Sequence, residues 1–357
     1  MNYLNEVAAA MNLSKTTICK AINHSNDISY ETRQRVLDFI AANYPDKLTD
    51  RTKGVSKKKS AKTILVIMPY KPRFFWDKAI EGMNEAVREF YTGKVTLKFA
   101  FYAGALNEEE VVSVLNDIEL SSIDAVALVP VNSSAVAEKI NSINDTIPVA
   151  TFCERCDSST PFLSVTSDGY REGCRIAEMI SEGIDKSCEI LVIHAEFYES
   201  VVTKQRIQGF RDRIGELFDK SYVIPCQCRV EYPDDVISKK GVRYLYNSIL
   251  PSLFARTVSK KLEENPNIAA MYVPNGNIYA LQIALKKIGR EDISVFGHEF
   301  HEKSHQLFQS GLKGGYVDQN VKRQAYFVVQ ALASKMLKNE KRYPDVFITN
   351  FDSHFYH

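Results

Sequence analysis

Three short stretches of this 357-residue chain carry residue types whose spacing could do chemistry. The first is "HEKSH", His301 to His305. On a helix its two histidines, four apart, would share one face, and the H-E-x-x-H order with Glu302 serves zinc hydrolysis. A third ligand is missing from the pattern: the metzincin continuation needs a histidine where Gly311 stands, and the next glutamate is Glu340. The second is the pair "CERC" and "CQC", whose Cys153, Cys156, Cys226 and Cys228 could form a zinc site or a thiol-based sensor if they converge. The third is "SKTTICKAIN", Ser14 to Asn23, which offers lysines and threonines at the start of a capped helical segment. Lysine donates to guanine O6 and N7, and threonine bonds either base edge or touches a thymine methyl.

Composition narrows what these stretches can serve. The length suits two or three domains. No apolar run approaches the ~18 to 20 residues of a membrane span, and the opening residues lack the apolar region of a signal peptide, so a cytoplasmic protein without membrane contact is expected. Seven cysteines, an odd number spread along the chain, favour reduced thiols over a disulfide framework. The overall charge of +1 hides an asymmetry: residues 1–62 hold eleven Lys/Arg against six Asp/Glu, a net of +5, which leaves −4 for the remainder. The N-terminal segment therefore suits a polyanionic partner.

In "YLNEVAAAMNL", Leu4, Val7, Ala8 and Met11 recur at helical spacing and make one apolar face. Asn12 tolerates a left-handed turn, and Ser14 is placed to cap a second helix in which Ile18, Ala21 and Ile22 face inward. Lys15, Thr16, Thr17 and Lys20 are left on its outer and forward surface. A third helix, "SYETRQRVLDFIAANY", is capped by Ser29 and buries Val36, Leu37 and Ile40. Two helices crossing closely at small Ala8 fit a helix-turn-helix, whose second helix enters the major groove. A basic, polar stretch of weak periodicity follows, ending in Lys57, Lys58, Lys59 and Lys62.

From Thr63 onward, short apolar runs alternate with helical patterns, the signature of parallel sheets built from βαβ units. "TILVIMP", "VTLKFAFYAG", "DAVALVPV", "PVATF", "EILVIHAEF", "YVIPCQCRV", "AAMYVPNG" and "DISVFGHEF" read as strands. About ten strands exceed one comfortable sheet, which predicts two doubly wound lobes with a ligand crevice at the strands' carboxyl ends. Amides, carboxylates and guanidinium groups there would chelate sugar hydroxyls, and Phe75 or Trp76, just past the first strand, could cover the apolar sugar face.

The segment "LNEVAAAMNLSKTTICKAINHSNDISYETRQRVLDFI" resembles the headpiece of the LacI family of bacterial transcriptional regulators. That resemblance implies base contacts from Lys15, Thr16 and Lys20 and backbone contacts from Ser14, Thr17, Asn23 and Ser29. The family's hinge helix wedges a leucine into the minor groove; here that position falls near Thr52, with Leu48 and Val55 out of register, so a sharp DNA bend is not expected. The body resembles the sugar-binding domain of the same family through "VTSDGYREGCRIAEMI", "KQRIQGF", "YVPNGNIYALQIALKKIG", "VFGHEF" and "YVDQNV". It implies effector contacts from Arg206, Asn275, Glu299 and a lobe-bridging Gln319, with Gly276 where the family carries an acid. In "PVATFCERCD" the family's Asp-Arg pair falls on Cys153-Glu154 or, by preference, on Glu154 and Arg155.

The implied organisation is an all-α helix-turn-helix domain over 1–47, a basic linker over 48–62 and a two-lobed α/β periplasmic-binding-protein-like domain over 63–357. Its lobes are expected at about 63–163 plus 292–320, and about 164–291 plus 321–357. The implied activity is repression of transcription by a homodimer on palindromic operator DNA, recognition helices ~34 to 36 Å apart. A sugar or sugar acid would control it, with no enzymatic activity, no metal and no cofactor. A thiol- or metal-responsive regulator through the four cysteines, or a zinc hydrolase through His301, Glu302 and His305, stays as an alternative.

Overall fold

The structure is a computed structural model describing residues 3–22, 28, 30–44, 61–102, 107–194, 200–218, 223–227 and 258–357. Asn23, Ser29, linker residues 48–60 and Cys228 lie outside the described residues, as does the side chain of Cys226. The chain divides into two compact units, Met1–Ser60 and Ala61–His357.

In the first unit, helices α1 (Tyr3–Met11), α2 (Lys15–Ile22) and α3 (Tyr30–Asn43) close around Leu4, Val7, Ile18, Ala21, Val36 and Ile40. The turn before α2 follows the sequence chemistry: Asn12 is left-handed at φ 54, and Ser14 Oγ accepts the Thr17 backbone N–H at 3.0 Å. Ser14 Oγ also lies 2.8 Å from the Thr17 hydroxyl, while Lys15 and Thr16 are exposed at the start of the helix.

The second unit carries two six-stranded sheets among the described residues. In chain order its elements begin β1 (Lys62–Pro69), α4 (Arg73–Ala86), β2 (Val95–Tyr102), α5 (Glu108–Asn116), β3 (Ala125–Leu128), α6 (Ser134–Asn144), β4 (Val149–Phe152) and β5 (Leu163–Ser167). There follow α7 (Gly169–Gly183), β6 (Glu189–His194), α8 (Val201–Leu217), β7 (Val223–Gln227), β8 (Ile268–Tyr272), α9 (Ile278–Ile288) and β9 (Ser294–His298). The last are α10 (Glu302–Gln309), β10 (Gly314–Asp318), α11 (Val321–Lys338), β11 (Val346–Thr349) and β12 (Asp352–Tyr356).

The first-lobe sheet runs β11-β5-β4-β3-β1-β2, all parallel, and the second runs β12-β10-β9-β8-β6-β7, with only β12 antiparallel. Helices cover both faces, which is why β3 and β4 are buried at every residue and read as continuous apolar runs. The expected lobe division is corrected at its C-terminal end. Residues 292–320 supply β9 and β10 to the second lobe, whereas α11 packs its Val321, Ala325, Val328 and Leu332 into the first-lobe core beside Ala79 and Met83 of α4. The chain crosses between lobes three times, after β5, after β10 and after β11.

The crossing of α7 over α8 fixes the second-lobe side of the seam. A Cβ on Gly173 would stand 2.0 Å from the Arg206 carbonyl, and one on Gly209 2.0 Å from the Tyr170 carbonyl. Only glycine allows that approach, and it brings the side chain of Glu172 onto Arg206.

Candidate functional site

Carboxyl ends of strands from both lobes meet along one seam. At its centre lies Arg206 of α8, 3 % exposed. Its Nε donates to Glu172 at 2.6 Å, Nη2 to Glu299 Oε1 at 3.0 Å, and Nη1 to the Pro274 carbonyl at 3.3 Å. Glu299, just after β9, also accepts from Gln319 Nε2 at 2.7 Å. Gln319 in turn receives Ser167 at 3.5 Å and Gln324 at 3.2 Å, so one amide spans the lobes. Behind Glu172, His298 Nδ1 is 3.7 Å away, and its Nε2 is 2.9 Å from the Tyr272 hydroxyl. Burial and the Arg206 charge hold His298 well below its usual range, so the ring is neutral.

From the first lobe, Glu154 follows β4 and reaches α8 across the seam. Its Oε1 accepts from Ser200, the N-cap of α8, at 2.6 Å, and the backbone N–H groups of Val201 and Val202 also support it. A carboxylate on a helix N-terminus is a favourable charge placement. Even so, burial pushes its pKa up to about 7, against the pull of Ser200 and Arg206. Glu299 is pushed up to about 8 by burial, which outweighs an Arg206 charge that is shared with Glu172. The second oxygens of both, Glu154 Oε2 and Glu299 Oε2, are sealed and meet no hydrogen-bond partner among the described residues.

These shifts set a pH dependence. Unfolded glutamates titrate near 4.5, so between there and about 8 the folded chain keeps protons that the unfolded chain has lost, and stability falls as pH rises. Neutral His298 and His301, lowered from 6.5 by burial, act in the opposite sense only below about 6.5. The urea midpoint is therefore expected to drop between pH 6.5 and 8.5, and Glu299→Gln to flatten that slope; an unchanged slope in the variant would refute the assignment.

Of the residues expected at the crevice, Arg206, Glu299, Gln319 and Glu154 are brought together. Asn275 lies beside them with its side-chain oxygen receiving the Asn277 backbone N–H at 3.0 Å. Arg155 is half-buried and makes no ion pair among the described residues. Phe75 and Trp76 are a correction: both lie in the first-lobe core, less than a tenth exposed, with the Trp76 indole donating to the Lys71 carbonyl at 3.0 Å. Helical phase explains this, because Phe75, Trp76, Ala79, Met83 and Ala86 form the buried stripe of α4. Phe74, off that stripe, faces the second lobe instead, edge-on to His301 at 4.6 Å. A Cβ on Gly276 would be 3.3 Å from its ring, so the glycine in place of the family's acid leaves room for it.

The H-E-x-x-H motif does not assemble, and of the four cysteines only Cys153 and Cys156 have described side chains. His301 is the extended N-cap of α10 and stacks on Tyr279 at 5.1 Å, while His305 bonds the Tyr356 hydroxyl at 2.8 Å, so the histidines do not share a helix face. Cys153 and Cys156 are buried in separate cores of the first lobe. No cluster of three or more His, Cys, Asp or Glu residues able to hold a metal is found among the described residues. No described helix is long and apolar enough to cross a membrane.

Glu172, Ser200, Gln324 and Phe74 were not among the residues expected from sequence. Phe74 had a signal, its position off the apolar stripe; Glu172 had none, since an acid in an amphipathic helix reads as solvent-facing.

Residues 64–341 match the periplasmic binding protein domain, and the chain belongs to that family. Solved structures with the same fold include one described as a LacI transcriptional regulator from Bacteroides fragilis, with TM-score 0.70 and 14 % identity over 83 % of this chain and 97 % of that one. GanP, a glucose-galactose binding protein from Geobacillus stearothermophilus, gives 0.69 and 17 % over 83 % and 98 %. A carbohydrate transporter solute binding protein from Agrobacterium radiobacter, in complex with D-arabinose, gives 0.67 and 17 % over 83 % and 95 %. At these identities the likeness establishes the fold. No curated protein matches the sequence.

Proposed function

We propose that the chain is a sequence-specific DNA-binding regulator of transcription, a repressor of the LacI type acting as a homodimer in the cytoplasm, controlled by a small carbohydrate between its two lobes. The observation that carries this reading is the presence, in one chain, of a three-helix unit with Lys15 and Thr16 exposed at the start of α2, a lysine-rich stretch after it in the sequence, and a periplasmic binding protein domain. A transport receptor has no use for the first of these. Sugars named for the structural neighbours support a carbohydrate effector, and the carboxylates and amides at the seam are the groups that chelate hydroxyls. Ligand would act by stabilising one lobe arrangement over the other, through the three crossovers.

The test is binding of the full chain to a library of palindromic duplexes. Selected duplexes are expected to bind with an affinity that falls steeply with salt, and Lys15→Ala or Lys20→Ala to relax base preference by about 1–3 kcal/mol at the contacted positions. Equal affinity for every duplex, at any ionic strength, would sink the proposal.

A further inference from the structure

The seam holds more acid than base. Glu154, Glu172, Glu299 and Asp318 stand against two cations that enter these contacts, Arg206 and Lys78. Lys78 is committed to Asp318 at 3.6 Å and to the Phe300 carbonyl at 3.2 Å. Each guanidinium nitrogen of Arg206 already has a protein acceptor. An acidic sugar entering here would find its natural partner consumed and further carboxylates nearby.

Two of the seam's unpartnered carboxylate oxygens, one from each lobe, point the other way. Glu299 is 6 % exposed, its Oε1 is taken by Arg206 and Gln319, and its Oε2 is sealed with no donor among the described residues. Glu154 repeats the pattern from the opposite lobe, with Oε1 on Ser200 and Oε2 unpartnered. A buried carboxylate oxygen without a donor is costly, and native structures retain such groups where something else fills the demand. Glu172 Oε1 is unpartnered as well, on the second-lobe side of the same cluster, and the remaining orphaned atoms, His298 Nδ1, His301 Nδ1, Gln282 Oε1 and Ser304 Oγ, also belong to the second lobe, so Glu154 Oε2 is the first-lobe member of the set among the described residues.

The geometry points to a positively charged occupant: an amine-bearing polyol, such as an amino sugar, whose ammonium donates to Glu299 Oε2 and whose far side meets Glu154. This rests on the carbohydrate reading above and adds the charge of the ligand to it. Entry requires the lobes to part at their three crossovers; on closure the ammonium takes the place of the proton that burial otherwise keeps on Glu299, so binding at pH 7 releases a proton, and the resulting charge-assisted hydrogen bond is stronger than a neutral one.

Calorimetric titration of the full chain at pH 7 decides it, using glucosamine, galactosamine and mannosamine beside their neutral parents, their N-acetyl forms and the matching uronates. At least one amine is expected to bind about ten-fold or more tighter than its parent, the difference between a charged and a neutral hydrogen bond. N-acetylation, which removes the charge, and Glu299→Gln, which keeps an acceptor for Arg206, are both expected to erase that margin. A neutral sugar or a uronate binding as tightly as the amine, or an amine preference that survives Glu299→Gln, overturns the assignment; a uronate whose affinity is lost in Arg155→Ala would instead give Arg155 the ligand. Those outcomes leave the carbohydrate reading standing. Absence of binding by every sugar in the set would overturn that reading and this inference with it.

Discussion

Arg206→Ala is expected to destabilise the two-lobed domain by roughly 3–5 kcal/mol, the cost of leaving buried charge without its partner. Two glutamates, Glu172 and Glu299, would lose the guanidinium that now sits between them at 2.6 and 3.0 Å. The Pro274 carbonyl would lose a donor as well. The loss should be read as a drop in the urea midpoint at constant slope. Adding Glu172→Gln to the variant should recover part of it, because the uncompensated charge is then gone. If the single variant unfolds like wild type, the three-residue cluster does not organise the seam.

Gly173→Ala is the second large effect. A methyl group there would be driven 2.0 Å from the Arg206 backbone carbonyl, a contact that cannot be relieved by rotating a side chain. The α7 and α8 axes would have to separate, and with them the Glu172 to Arg206 bond. Overpacking of this kind costs about 3 kcal/mol, the upper part of the usual range. Gly215, on the same α8 helix, supplies the control: its added Cβ meets nothing within 4 Å, so Gly215→Ala is expected to raise stability by roughly 0.5–1 kcal/mol through helix propensity. Equal effects at the two positions would show that close helix approach is not what Gly173 provides.

What the sequence made legible followed from local physics. Strands buried on both faces announced themselves as unbroken apolar runs, and the Asn12 turn with its Ser14 cap was readable because both residues act within three positions of themselves. Partners such as Arg206 with Glu299, 93 positions apart, became legible only through the family resemblance, since nothing local couples them. The assignment of 292–320 and 321–338 to lobes went astray for a related reason: crossovers are set by which sheet edge is open, and that is a property of the whole fold. The edge strands β11 and β12 went unread because β12 is mostly polar and the Val346-Phe347-Ile348 run of β11 is too short to stand out from a loop. Choosing Phe75 and Trp76 over Phe74 reflects size outweighing phase, where the buried stripe of α4 was the better guide.

Residues 346–356 give one edge strand to each sheet, β11 beside β5 and β12 beside β10. Neither half can therefore finish assembling while the ribosome is still making the segment that both await, whereas the three-helix unit is complete some three hundred residues earlier. During synthesis the nascent protein would pass through a stage in which its first unit is already native and two unfinished sheets expose open edges, the interval in which chaperone engagement or intermolecular strand pairing is most probable.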